Sequence, residues 1–185
     1  ISLEAVLGGQ SIDAEHVLIY DDDHYYIGSV AALALRAAGH RVTLVTPAGR
    51  PCEFGVYTGE IYSSNARLFE AGVEVVTNQQ IIAVEDGFVR TECSMSGRAG
   101  TLDCDVMIPV CRRVPVTDVH AALTELSTND PAGAAASIRS VSRIGDAEAP
   151  NTIAAAVYAG YRAGVETGKS VDLAVTFGRR EHPGA

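Results

Sequence analysis

Asp21, Asp22, Asp23, His24, Tyr25 and Tyr26 follow one another and put three carboxylates, an imidazole and two phenols into one short stretch. Clustered carboxylates suit hard cations. Consecutive residues leave a strand end in different directions, however, so these three do not converge on one ion. The better reading is a solvated turn in which one side chain caps the helix that follows, with Asp23 or His24 in that role. Tyr25 and Tyr26 could stack on an adenine or a flavin. Such tyrosines more often pack between a strand end and a helix.

The flanking elements say what the turn belongs to. Val17 to Tyr20 is an apolar, β-prone run, Ile27 to Ala38 is an alanine- and leucine-rich helix closed by Gly39, and Arg41 to Thr46 is a second β-prone run. Strand, turn, helix and strand within about 30 residues make a βαβ unit. Where such a unit binds a dinucleotide its first turn reads G-x-G-x-x-G, because glycine lets backbone N–H groups approach the pyrophosphate at the helix N-terminus. Here Gly28 is the one glycine left. Three carboxylates would repel a diphosphate, and two tyrosines would fill its space. The acid that holds the ribose after the second strand is also missing, since Val45, Thr46 and Pro47 stand there. Arg50, beside two prolines, reads as a solvated arginine rather than a 2′-phosphate ligand. Asp23, His24, Tyr25, Tyr26 and Gly28 thus form a degenerate dinucleotide turn.

Bulk properties narrow the classes. The chain has 185 residues, 47% of them hydrophobic, with 18 glycines, which fits an α/β protein with tight turns. A net charge of −9 argues against nucleic acid and anionic membrane as partners. No apolar run approaches the roughly 20 residues of a membrane span, and no basic-then-apolar leader precedes the first strand. A cytoplasmic protein is expected. The first residue is Ile1, which suits a processed chain or a piece of a longer one. Cys52, Cys93, Cys104 and Cys111 lack the close spacing that zinc or an iron–sulfur cluster favours, and read as reduced thiols. No G-x-S-x-G, H-E-x-x-H or P-loop sequence occurs, so neither a catalytic residue nor a metal ligand is assigned.

Along the chain, residues 1–15 read as a connector. Val56 to Ala71 carries a helical pattern with Tyr57, Ile61, Ala66, Leu68 and Phe69 on its apolar side and Gly72 at its end. Val73 to Val76 reads as a third parallel strand. The Asp86-Gly87 turn joins Ile81–Val84 to Phe88–Cys93 as a hairpin, the SMSGRAG stretch is a turn, and Asp105 to Val110 is a buried strand. After Arg113 the composition shifts. Thr117 to Leu126 is expected as a short helix, Ser127 to Ala136 as a loop, Ser140 to Ile144 as a strand, and about Asn151 to Glu166 as a helix rich in small residues.

The runs YDDDHYYIGSVAALALRAAGHRVTLVTPA, ARLFEAGVEVVTNQQI and IGDAEAPNTIAAAVYAGYRAG resemble the C-terminal part of the trimethylamine, dimethylamine and histamine dehydrogenase family, relatives of 2,4-dienoyl-CoA reductase among the NADH:flavin oxidoreductases. The likeness covers roughly residues 1–170. It implies an α/β, Rossmann-like domain, three-layered, with a mostly parallel sheet and a β-hairpin excursion, at 16–113. It also implies the returning C-terminal part of an FAD-like domain at 114–185. In that family an N-terminal barrel holds FMN and a 4Fe-4S cluster; this chain shows neither the barrel nor the cluster's cysteines, so no cofactor is expected in it. Gly145, Asp146 and Ala147 match the Gly-Asp turn that faces the ribityl or pyrophosphate region in FAD-like domains, and the resemblance implies a weak ADP site there. A simple strand-to-helix turn explains the same residues.

Three functions remain open at this point. The first is a region that serves as scaffold, ADP site and docking region for an electron acceptor within an amine dehydrogenase-type oxidoreductase, inactive by itself. Its partners would be the rest of the parent chain, an electron-transfer flavoprotein and, among the assemblies it allows, a second copy. The alternatives are the NAD(P)H-binding domain of a 2,4-dienoyl-CoA reductase-like enzyme and a stand-alone nucleotide-binding module.

Overall fold

The computed structural model describes residues 1–111, 113–129, 133, 138 and 140–168. They fall into two units, residues 1–112 and 113–185.

In the first unit the chain runs through helix α1 (Leu3–Leu7), strand β1 (His16–Asp21), helix α2 (Ile27–Ala37), strand β2 (Arg41–Val45), helix α3 (Glu60–Glu70), and strands β3 (Glu74–Val76), β4 (Gln79–Glu85), β5 (Phe88–Cys93), β6 (Ala99–Asp103) and β7 (Val106–Val110). Side chains alternate across a strand, and β1 is apolar on both faces. Such a strand needs cover on both sides and a central place in a parallel sheet. It has both. The parallel sheet has the order β3-β2-β1-β7, with Ile19 opposite Leu44 on one side and Ile108 on the other. Val17 and Ile19 face the helices, where Ala31, Ala32 and Leu35 of α2, Leu68 of α3 and Leu3 of α1 join the main core. Leu18 faces the opposite way, onto Val89 and Cys104. That side is covered by the antiparallel sheet β4-β5-β6. The three layers are therefore helices, parallel sheet and antiparallel sheet. Asp105 ties the edges of β1 and β7 together, its Oδ2 accepting the N–H groups of Glu15 at 3.0 Å and His16 at 2.8 Å.

Three details depart from the sequence reading. Part of the stretch read as connector forms α1, which buries Leu3 and is capped by Ser2. The helix expected over Val56 to Ala71 is interrupted: Glu53–Tyr57 is a 3₁₀ turn, and Gly59 at φ +78 breaks the chain before α3 begins. A positive φ is incompatible with helix continuation, and glycine supplies it at little cost. The buried face of α3 reduces to Ile61 and Leu68, while Tyr57 is 85% exposed and Ala66 and Phe69 also face solvent. Finally, the SMSGRAG stretch is only partly a turn, because Ala99 and Gly100 already belong to β6.

The second unit contains helix α4 (Asp118–Asn129), a 3₁₀ turn at Gly145–Ala147 and helix α5 (Ile153–Glu166). Helix α4 extends through Ser127 and Asn129, which were expected in a loop; residues 130–132 and 134–136 of that loop lie outside the described residues. The strand expected over Ser140 to Ile144 does not form. A β-prone run becomes a strand only beside a partner, and this unit offers no sheet among its described residues. Thr152 caps α5 by accepting the Ala155 N–H. Neither α4 nor α5 holds a buried residue.

Candidate functional site

The carboxyl end of β1 is where a βαβ unit meets its ligand, and Asp21 decides what this one looks like. It shares the parity of Val17 and Ile19, so it turns toward the helices and is 0% exposed. Its Oδ1 accepts the backbone N–H groups of Asp23 and His24, each at 3.3 Å. Its Oδ2 is buried without a partner. Burial pushes this carboxyl up to about 7, against the pull of the two N–H groups; the neighbouring Asp23 and Asp22 add to the rise. Desolvation of this kind penalises the charged form.

Gly28 makes room for that carboxyl. A Cβ on Gly28 would lie 2.6 Å from Asp21 Cγ and 2.7 Å from its Oδ2. In the G-x-G-x-x-G frame Gly28 takes the third place, whose glycine serves close packing of helix on strand. Asp23 and Tyr25 take the first two. Between them His24 adopts φ 64, a left-handed conformation uncommon outside glycine.

The segment after β2 closes over the turn. The Phe54 N–H donates to the His24 carbonyl at 2.9 Å. Its ring meets those of His24 and Tyr25 edge-on, with centroids 5.3 and 5.4 Å apart. His24 Nε2 lies 3.4 Å from Asp22 Oδ1, and its Nδ1 is buried without a partner, as is Ser29 Oγ in the first turn of α2. Arg50 pairs with Glu53 at 3.2 Å and is occupied on the surface.

Two expectations about this turn are corrected. Neither Asp23 nor His24 caps α2: the N-cap position falls to Tyr26, which makes no side-chain cap bond. The Asp21 carboxyl bends the turn inward and draws the N–H groups of Asp23 and His24 to itself, as an aspartate does in an Asx turn. Tyr26 does not pack between strand and helix, being 53% exposed, whereas Tyr25 leans on Phe54. Sequence reading missed the part played by Asp21 and Phe54. The period-2 alternation Val17, Ile19, Asp21 was the signal for the first.

In the second unit Gly145, Asp146 and Ala147 share the 3₁₀ turn just before α5. Gly145 has φ +56, and Asp146 Oδ1 accepts the Asn151 N–H at 3.3 Å. A helix N-terminus suits a diphosphate, and the Asp146 carboxylate stands just ahead of this one. Here one of its oxygens already holds the turn, and Thr152 already occupies an N–H of the helix. The four cysteines are free, with Cys52 and Cys104 buried and Cys111 exposed. No group of three or more His, Cys, Asp or Glu that could hold a metal occurs among the described residues.

No protein-family model matches the chain, and no curated protein matches it. Solved structures do. Histamine dehydrogenase from Rhizobium sp. 4-9 superposes with a TM-score of 0.82 at 31% identity, over 92% of this chain and 26% of its own. The match is to the C-terminal region of histamine dehydrogenase. The resemblance read from the sequence holds. The corresponding region of 6-hydroxypseudooxynicotine amine oxidase from Pseudomonas geniculata N1 gives 0.78 at 30% identity, over 91% of this chain and 24% of that one. A 2-naphthoyl-CoA reductase, at 18% identity and a TM-score of 0.64, shares the fold. The chain spans about a quarter of the length of the histamine dehydrogenase and amine oxidase it matches. Its Rossmann-like α/β class agrees with these neighbours. Among the described residues no helix is long and apolar enough to cross a membrane.

Proposed function

We propose that this chain acts as the C-terminal nucleotide-binding-like region of an amine dehydrogenase-type oxidoreductase that carries FMN and a 4Fe-4S cluster elsewhere in the parent protein. The reading makes it a scaffold and a docking region for an electron acceptor, inactive by itself and cytoplasmic. The observation that carries it is the turn after β1. Two of its backbone N–H groups, the donors a pyrophosphate would need, are held by Asp21, and the first two glycine positions are filled by Asp23 and Tyr25. The similarity to histamine dehydrogenase at 31% identity supports the enzyme class.

The chemistry of the parent would be removal of a hydride or electron pair from an amine by its flavin. This chain's residues would contribute binding and support. Gly145, Asp146 and Ala147 fit an ADP-like group only in part, so ADP would need groups from the rest of the parent. The net charge of −9 would steer a partner with a basic face, such as an electron-transfer flavoprotein.

The test uses the purified chain. It should be colourless and reduce no dye in the presence of amines, and calorimetry should detect no micromolar binding of NADH, NADPH, ADP or S-adenosylmethionine. Micromolar NADPH binding would move the chain to the 2,4-dienoyl-CoA reductase-like reading, and bound flavin would overturn the claim that it lacks a redox centre.

A further inference from the structure

Beyond the role proposed above, the β1–α2 turn has the makings of a device that responds to pH. Asp21 is enclosed on every side. Gly28 of α2 lies over it, with no Cβ to hold it off, and its Oδ2 has no partner. The titratable groups around it are Asp22, Asp23 and His24 of the turn itself, Cys52 from the segment after β2, and Cys111 after β7. Among the described residues, arginine and lysine do not figure there. A carboxylate here would therefore meet other acids, two thiols and an imidazole, with two long backbone bonds as its compensation. Ser29 Oγ, without a partner, sits in the first turn of the same helix.

We propose that the β1–α2 turn is a proton-controlled latch: with Asp21 protonated the turn stays closed under Phe54, and with Asp21 ionised the turn opens and releases the 52–57 segment. The closed form is the one in the structure, sealed by the Phe54 N–H on the His24 carbonyl at 2.9 Å and by the His24 and Tyr25 rings against Phe54. In the open form Asp21 reaches water and the first turn of α2 is uncovered. The seal is one hydrogen bond and two edge-on ring contacts near the surface, so local opening need not unfold the sheet.

The sign follows from proton binding. The closed form holds its proton up to about pH 7, whereas a solvated aspartate releases it near 3.8. Between those values the open form binds fewer protons, so its population rises about tenfold per pH unit and levels off above about pH 7. Opening is thus favoured by alkali.

Amide hydrogen exchange reads this directly in the whole chain. The protection factor of the Phe54 amide, corrected for intrinsic exchange, should fall about tenfold per pH unit between pH 5 and 7 and then flatten. In Asp21→Asn it should stay level over the same range. His24→Asn, a residue that tolerates the left-handed conformation, should keep the native slope, which separates Asp21 from the histidine as the titrating group. A flat profile in the native chain, or an unchanged slope in Asp21→Asn, would overturn the proposal. If Asp21→Asn does not fold, the carboxyl carbon of Asp21 in the native chain decides by NMR: titration near 7 together with the Phe54 slope supports the latch, and titration near 4 overturns it.

Discussion

Gly28 and Asp21 depend on each other through a close approach of helix to strand. A Cβ on Gly28 would sit 2.6 Å from Asp21 Cγ, inside any tolerable contact, and both residues are buried. Gly28→Ala must therefore push the carboxyl aside or lift α2 from β1. Overpacking of this kind costs about 1–3 kcal/mol. Shortening Asp21 makes room for the methyl, so in the Asp21→Ala background the same substitution should cost far less. Urea denaturation of the two single variants and the double variant measures the coupling, and strictly additive losses would show that the close approach carries no energy. How much of this was legible beforehand differs for the two residues. Gly28 stands out in the sequence, since a lone glycine at the start of a helix after a strand asks for an explanation. Asp21 does not, because one aspartate in a run of three looks solvated until strand parity is followed to its end. The failure to see Phe54 has another cause. Its contact with His24 joins residues thirty positions apart, and periodicity carries no information on contacts of that range.

At the scale of elements, the parallel sheet and the hairpin were legible because local patterns dictate them. Val17–Tyr20, Arg41–Thr46 and the Asp86-Gly87 turn announce themselves through β-branched runs and turn chemistry. The covering of the sheet's second face by β4-β5-β6 was not, since strand periodicity says that a face is buried and not by what. The C-terminal ends of α2 and α3 were legible from Gly39 and Gly72, but side chains that act across elements were not. Arg36 is the example. Its Nε donates to the Ala71 carbonyl after α3 at 3.0 Å, and its Nη1 donates to the His40 carbonyl after α2 at 2.7 Å. One guanidinium thus serves partly buried carbonyls just past the ends of two helices, where a positive charge is favoured by both dipoles. Arg36→Ala should lose about 1–3 kcal/mol, as expected when charge-assisted bonds to partly buried carbonyls are removed. Arg36→Lys should recover only part of this, because an ammonium cannot place two donors in the fork that reaches both sites. Urea midpoints of the three proteins check the order, and a lysine variant as stable as the arginine would refute the two-ended clamp.

At the scale of the molecule, the two units differ in what they bury. The first encloses Val17, Leu18, Ile19, Leu44, Ile61, Leu68 and Ile108 almost completely. In the second, α5 leaves Ile153, Val157, Tyr158 and Tyr161 all more than half exposed, and α4 buries nothing. Helices gain most of their stability from an apolar face packed against something, and an isolated helix of this length is marginal in water. The consequence can be measured on the chain as it stands. Chymotrypsin should cut at Tyr158 or Tyr161 well before Tyr20, which is held inside β1 and survives until the first unit unfolds. Amides of α5 should likewise exchange many orders of magnitude faster than those of β1, since local opening of the second unit does not require the core of the first to break. Supplying the remainder of an FAD-like domain, as the proposed parent would, should bury the Ile153, Val157 and Tyr161 stripe and slow cleavage there by at least about tenfold, in proportion to the population that stays open. Equal protection of α5 and β1 in the chain alone would contradict this division. It would mean that the second unit is stable without a partner, and the case for a missing half of its domain would lose its physical basis.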